Sequence, residues 1–293
     1  MKFVYTVIIP HKNIPNLLLR CINSIPERDD LQIIVVDDNS NPEVVDFCYF
    51  KNLSRKNFRF IETKEGKGAG FARNIALGIA KSKWILFADA DDFFSPQINQ
   101  FLVDYKNSEA DVVYLPNTTI DAATNRPLAV DLKVTDLIKE CNIKENNYDA
   151  LRYKSHAPWT KMVKLNLIKE YNIKFQEVPA SNDVWFSILL GYHAKDIKVC
   201  PYCIYIRTVR QGSLQYSLNK ELLLSRINVG YKVNKFLKKI GKIKYYNETW
   251  GYFLDLRKIS WWLFFSKAPK YFYCTPNFIL KKHLFYYLKN KLI

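Results

Sequence analysis

The sequence predicts an α/β fold with a mostly parallel central sheet, followed by a helical, basic C-terminal extension. Three observations predict it. Short, continuously apolar segments alternate with amphipathic ones through the first 115 residues, which is how strands covered by helices on both faces read. Polar clusters stand at the carboxyl ends of three apolar segments, at Pro10 to Asn13, Asp37 to Ser40 and Asp89 to Asp92. Open α/β sheets gather ligands at such ends. The charge is uneven. Of a net charge of +16, residues 214–293 hold 16 Lys and Arg against 3 Asp and Glu, while the residues before them hold 28 against 25.

Val4 to Ile9 is β-branched and continuous, a buried strand. Asn16 to Ile25 carries Leu17, Leu18, Cys21, Ile22 and Ile25 on one helical stripe. Leu31 to Val36 is a second buried strand. Phe58 to Ile61 is a third and leads into a glycine segment, Gly66 to Gly70, before a helix over about Phe71 to Lys81. Trp84 to Ala88 is the next strand. A helix near Pro96 to Asn107 then precedes a strand over Asp111 to Leu115. Residues 116–180 are less regular: Asn117 to Asn125 reads as a polar loop, and helices are expected over Asp136 to Asn142 and Lys164 to Tyr171. Pro179 to Asp183 opens an apolar helix, Val184 to Leu190, and a strand pair follows at Ile197 to Cys200 and Cys203 to Ile206. From about Leu218 the chain reads helical, with Lys and aromatic residues interleaved.

Composition narrows the function classes. A hydrophobic content of 48% over 293 residues argues for a globular chain with one large domain and an appendage. No apolar run approaches the roughly 20 residues needed to span a bilayer. The start, Met1 to Pro10, lacks a small-residue cleavage site and makes a poor signal peptide. The six cysteines are scattered, as expected for reduced cytoplasmic thiols. Cys200 and Cys203 form a lone CxxC and read as small buried hydrophobes rather than a zinc or redox pair. His156 and His193 show no ligand-like spacing. In the tail, Phe278, Leu284, Phe285, Leu288 and Leu292 share one face of a helix over Asn277 to Ile293, with Lys281, Lys282, Lys289 and Lys291 around the other. Such a helix suits peripheral contact with an anionic membrane surface. The alternative is a helix packed on the body with a solvated basic rim. No nucleic-acid module is visible, so nucleic acid is not expected as a partner.

The segment Asp89 to Asp92 puts three carboxylates within four residues after a buried strand. Clustered like charges are costly unless neutralised. A divalent cation bridging to a phosphate-bearing substrate would do so, and a solvated loop with an acidic helix cap is the other reading. The ordered set of motifs carries a resemblance. Val7 to Pro10 with Asn13, Val35 to Ser40, Gly68-x-Gly-x-x-Arg73-Asn74 and Phe87 to Asp92 look like the nucleotide-binding half of family 2 glycosyltransferases with a GT-A fold. Ser181 to Phe186 resembles that family's acceptor-side acidic motif. The resemblance covers about residues 3–210 and implies a GT-A domain over 1–213. Its nucleotide-binding half is about 1–115 and its acceptor half about 116–213, with the basic helical region at 214–293.

The resemblance implies site roles. Uracil of a UDP-sugar is expected near Pro10, Asn13 and Asp38, while Asp37 satisfies nearby backbone donors. Lys12 stands where the family often has an aromatic. Gly68, with Gly70, is expected to admit the nucleotide closely, because glycine lacks a Cβ. Arg73 supplies a cation for phosphate, with Asn74 as its polar partner. Asp89 and Ala90 line the sugar nucleotide. Asp91 ligates Mn²⁺ or Mg²⁺, and Asp92 is either a second ligand or a helix N-cap. Asp183 is the expected general base, and it can also cap the following helix. Asn182 stands where the family often has Glu. Trp159 and Lys161 match a Trp-x-Lys element on the acceptor side, where Trp159 is either core or a sugar platform.

The implied activity is an inverting, metal-dependent transfer from a UDP-sugar to a glycan or lipid-linked glycan in surface-polysaccharide assembly. It is expected in the cytoplasm, at the inner face of the membrane. A nucleotidyltransferase would want a Gly-rich basic loop after the first strand, and Pro10 to Asn13 lacks one. A non-catalytic sugar-nucleotide or glycan binder should have lost Asp91 or Asp183, and both are present.

Overall fold

The computed structural model describes residues 3–128, 133–141, 145–209 and 219–281. They divide into two compact units, one comprising 1–178 with 182–213 and the other 179–181 with 214–293. The first unit opens with β1 (Phe3–His11), α1 (Pro15–Asn23), β2 (Leu31–Asp38), α2 (Phe47–Lys51) and β3 (Phe58–Thr63). It continues with α3 (Ala69–Ile79), β4 (Ser82–Phe87), β5 (Phe93–Phe94), α4 (Ile98–Asp104), β6 (Val112–Tyr114) and β7 (Asn117–Asp121). Then come α5 (Lys133–Glu140), α6 (Asp149–Lys154), β8 (Lys161–Lys164), α7 (Leu165–Glu170), α8 (Val184–His193), β9 (Ile197–Val199) and β10 (Tyr205–Val209).

A seven-stranded sheet runs in the order β3-β2-β1-β4-β8-β6-β9. The β3-β2-β1-β4 pairings are parallel, β8 is antiparallel to both β4 and β6, and β9 is parallel to β6. The continuous apolar segments became the central strands: every residue of β1 from Tyr5 to His11 is buried. Tyr5 and Trp84 are wholly buried, and the Tyr5 hydroxyl donates to the Leu102 carbonyl at 2.7 Å. A buried tyrosine needs such a partner.

Two expectations are corrected. The polar segment from Asn117 is a strand, β7, lying parallel to β10 in a three-stranded sheet of order β5-β10-β7. Its Asn117 and Thr119 are buried, which a polar composition does not signal. The segments at Ile197 and Cys203 do not pair with each other; β9 joins the large sheet and β10 the small one. A short strand that the sequence did not announce, β8, begins at Lys161.

The second unit is helical, with α9 (Lys220–Lys239), α10 (Trp250–Ile259) and α11 (Trp261–Cys274). Its core joins Leu223, Ile227, Tyr231, Phe253, Leu256, Leu263 and Tyr271. Phe253 and Tyr271 stack at 4.3 Å between ring centroids. Gly230 permits this packing: a Cβ there would lie 2.2 Å from the Thr249 methyl carbon. The Asn234 side chain both donates to and accepts from the Asn247 backbone, at 3.0 and 2.7 Å. Of the helix expected over Asn277 to Ile293, residues 277–281 are helical, and Leu284, Phe285, Leu288 and Leu292 lie outside the described residues. No described helix is long and apolar enough to cross a membrane.

Candidate active site

Register brings the three polar clusters to one sheet edge: His11 pairs with Asp37, Asp38 with Thr63, and Ile8 with Phe87. Beyond Pro10, buried His11 Nδ1 meets Asp37 Oδ2 at 2.7 Å, while Nε2 accepts the Ile14 N–H at 3.2 Å. That acceptor role places the ring proton on Nδ1, donating to Asp37. Asp37 also accepts from the Ser40 N–H at 2.8 Å and hydroxyl at 2.6 Å. Burial alone would raise its pKa, but the bonds from His11 and Ser40 hold it below the usual carboxylate value. Asp37 therefore builds the loop. Asn13 and Asn39 take φ of 55° and 59°, left-handed values that Asn tolerates. The Asn13 N–H donates to Ser40 Oγ, and its side-chain oxygen accepts from Asn41, both at 2.8 Å.

Asp38 is held differently. Its Oδ2 accepts the Gly68 N–H at 2.8 Å and lies 3.8 Å from Lys12 Nζ. Its Oδ1 is buried and has no hydrogen-bond partner. Gly68, at φ 90°, precedes α3 in a conformation other residues rarely adopt. Gly70 was expected to admit the nucleotide, but its close approach is to protein. A Cβ there would lie 2.2 Å from the Gln176 carbonyl oxygen.

Arg73, one turn further on, is buried and joins two distant segments. Its Nη2 pairs with Asp89 Oδ1 at 2.6 Å, and its Nη1 donates to Asn182 Oδ1 at 2.9 Å. Asn74 has another use than the expected one beside phosphate. Both ends of its amide bind the Phe175 backbone, at 3.0 and 2.9 Å, because its position on α3 faces that segment.

The acidic loop is anchored from β10, which sequence reasoning did not connect to it. The Tyr205 hydroxyl donates to Asp92 Oδ2 at 2.8 Å and accepts the Asp89 N–H at 3.0 Å. The Thr208 N–H donates to Asp92 Oδ1 at 2.7 Å. Thr208 Oγ1 and Arg20 Nη2 both donate to the Asp91 carbonyl. The Asp91 side chain is half-buried and Ala90 is buried. Asp92 does not cap the following helix. The N-cap position of α4 is Gln97, and both oxygens of the buried Asp92 carboxylate accept from protein donors. Burial, then the charges of Asp89 and Asp91, push its pKa well up. Among the described residues no group of three or more His, Cys, Asp and Glu gathers as a metal cage. Asp89 and Asp91 remain a half-buried pair of oxygen donors, the chemistry hard divalent cations favour.

Asp183 occupies the N-cap position of α8 but makes no capping bond with its side chain. Burial raises its pKa, with the Arg73 charge opposing. Lys161 is buried at 1% exposure. Its ammonium donates to the Ala157 carbonyl at 2.7 Å, Thr160 Oγ1 at 3.2 Å and Ser187 Oγ at 3.4 Å. Burial lowers its pKa to about 7. Ser187 in turn donates its N–H to the Asp183 carbonyl at 2.9 Å. Trp159 stacks on Tyr205 at 4.8 Å and 7°, so one face of its ring supports the residue that holds the acidic loop. No motif in the sequence marks Tyr205, Thr208 or Arg20; strand pairing alone brings the two tyrosine and threonine side chains to the loop.

The chain is similar to known proteins in sequence and in fold. The family model for Glycosyl transferase family 2 matches residues 6–156. A teichoic acid poly(glycerol phosphate) polymerase of Staphylococcus epidermidis is 28% identical over 69% of this chain and 28% of its own. A poly(ribitol-phosphate) beta-glucosyltransferase of Bacillus spizizenii is 27% identical over 71% of this chain and 32% of its own. The chain thus spans less than a third of the length of either relative. The S. aureus TarS 1-349 crystal structure in complex with UDP-GlcNAc superposes with a TM-score of 0.63 at 21% identity, over 80% of this chain and 65% of that one. The fold is therefore that of TarS, an α/β arrangement with a mostly parallel central sheet. By the extent of the family match, this chain belongs to Glycosyl transferase family 2.

Proposed function

We propose that this chain is an inverting, metal-dependent glycosyltransferase that moves a sugar from a UDP-sugar to a hydroxyl of a glycan or lipid-linked glycan. The Arg73 bridge carries the reading, because one guanidinium binds both Asp89 and the neighbour of Asp183. A donor-side and an acceptor-side carboxylate thereby belong to one site. Pro10 and Asn13 border the base pocket. Asp38 Oδ1, a buried acceptor without a partner, takes the imide N–H of uracil. Gly68 and Ala90 leave room beside the diphosphate and sugar. Asp91, with Asp89 beside it, would hold Mn²⁺ or Mg²⁺, which neutralises charge on the departing diphosphate.

Asp183 takes the proton of the acceptor hydroxyl as that oxygen attacks C1 from the side opposite the nucleotide. Its raised pKa makes it a stronger base than a solvated Asp. Asn182 and Trp159 border the acceptor, and Lys161 supports the first turn of α8 from beneath. The names of the matched relatives, a polymerase and a polymer glucosyltransferase, support a polymeric acceptor in cell-surface polysaccharide assembly. The reaction then belongs at the inner face of the cytoplasmic membrane. A panel of UDP-sugars tested for turnover with and without Mn²⁺ should yield one or a few metal-dependent donors. Metal-independent turnover, or none with any nucleotide sugar and glycan acceptor, would sink the proposal.

A further inference from the structure

The apolar face expected over Asn277 to Ile293 lies mostly outside the described residues, and the described structure exposes an apolar face earlier, on α11. Residues advance by 100° around a helix. Trp261, Trp262, Phe265, Pro269, Phe272 and Tyr273 therefore fall within an arc of about 120°. Their aromatic members are exposed: Trp261 by 59%, Trp262 by 78%, Phe265 by 63%, Phe272 by 53% and Tyr273 by 90%. The opposite side of the same helix is already used, with Leu263 and Tyr271 buried in the core of the helical unit. An apolar arc of this width normally faces a core, and here it faces outward.

The charges around it are mainly positive. Helix α11 contains Lys267 and Lys270 and no Asp or Glu. Lys270 is exposed about 60° beyond the arc, with its ammonium 5.0 Å from the Tyr231 ring, and exposed Lys258 lies just before the helix on α10. The Arg257 guanidinium lies 6.0 Å from the Trp261 ring. The neighbouring acid, Asp255, is paired with Lys258 at 2.8 Å. Phe278 and Lys281, both exposed, repeat the pairing of ring and cation beyond the helix. Trp and Tyr favour the headgroup level of a bilayer, and cations beside them favour anionic lipid.

We propose that the Trp261–Tyr273 face of α11 is a surface-lying membrane contact that inserts its aromatic rings among anionic phospholipid headgroups. The occupant is a bilayer, as among the described residues around the face the cations Arg257, Lys258, Lys270 and Lys281 outnumber the one acid, Asp255, and complement anionic lipid. The proposal does not depend on the transferase reading, and its test reads no activity. The full chain is sedimented with vesicles of phosphatidylglycerol and of phosphatidylcholine. Binding to phosphatidylglycerol should be stronger, with a blue shift of tryptophan emission. The double variant Trp262→Ser, Tyr273→Ser removes two well-exposed rings and should weaken binding by about tenfold or more, with an unchanged thermal midpoint. Lys258→Glu with Lys270→Glu should weaken binding to phosphatidylglycerol only. Equal binding to both lipids, or unchanged binding by the serine variant, overturns the assignment. So does self-association of the wild type in sedimentation velocity that the serine variant abolishes, since a second copy would then cover the face.

Discussion

At the scale of single residues, the carboxylates divide by what holds them. Asp37 and Asp92 are consumed by protein donors, whereas Asp38 keeps a buried acceptor open and Asp183 leaves its helix uncapped. Asp91→Ala should abolish metal-dependent UDP binding, measured by calorimetry with and without Mn²⁺. Asp183→Asn should keep UDP binding and lower turnover by about 10²-fold or more; full activity would remove Asp183 as the base. Lys161 provides a pH signature. Its pKa is lowered to about 7 by burial, so between pH 7 and 10 the unfolded chain holds a proton that the folded chain has released. Stability from this group therefore rises with pH across that window, by at most about 1.4 kcal/mol per unit, and its cost is fully present below pH 7. Urea midpoints of wild type against Lys161→Met at pH 7 and 9 should show the difference between them shift in favour of wild type at the higher pH. The places of Asp38 at the end of β2 and of Asp183 at the start of α8 were legible in the sequence. The anchoring of Asp92 was not, because its partners lie 113 and 116 residues away.

Among the elements, legibility followed burial on both faces. Strands β1, β2 and β4 announce themselves because both faces are covered, so their apolar runs are unbroken. Strands β7 and β8 mix Asn, Thr and Lys with apolar residues, and only their neighbours make them strands, while β10 was expected over Cys203 to Ile206 and runs Tyr205–Val209. The site depends on both kinds. Tyr205→Phe should leave buried Asp92 and the Asp89 N–H each short of a bond, costing about 1–3 kcal/mol in chemical denaturation. The same variant should weaken donor affinity, because the acidic loop loses an anchor. Gly70→Ala should destabilise by a similar amount, about 1–3 kcal/mol, as a Cβ would meet the Gln176 carbonyl at 2.2 Å. A neutral result there would mean that α3 can move away from the 176–182 segment without loss.

For the whole molecule, the charge divides as the two compact units do. The α/β unit is nearly balanced in charge, and the helical unit carries most of the net +16. Long-range attraction to anionic surfaces is screened by salt, with a Debye length of about 10 Å at 0.1 M. Vesicle binding by the full chain should therefore weaken steeply as salt rises from about 0.05 to 0.5 M. A residual component should survive through aromatic burial, which salt does not screen. Salt-independent binding would assign the contact to the rings alone.

The sequence by itself determined the fold class, the sheet edge at which the polar clusters stand and the family, because those rest on local periodicity and on short motifs. Only the tertiary structure decided how the carboxylates share the work. Asp92 became an anchor, Arg73 a bridge between the two halves of the site and Trp159 a support for Tyr205. The tail divides in the same way. Its basic, aromatic composition was plain in the chain, but the outward face lies on α11 because Leu263 and Tyr271 turn inward. Each of these decisions depends on partners far apart in sequence, which pairing and packing bring together and no local pattern records.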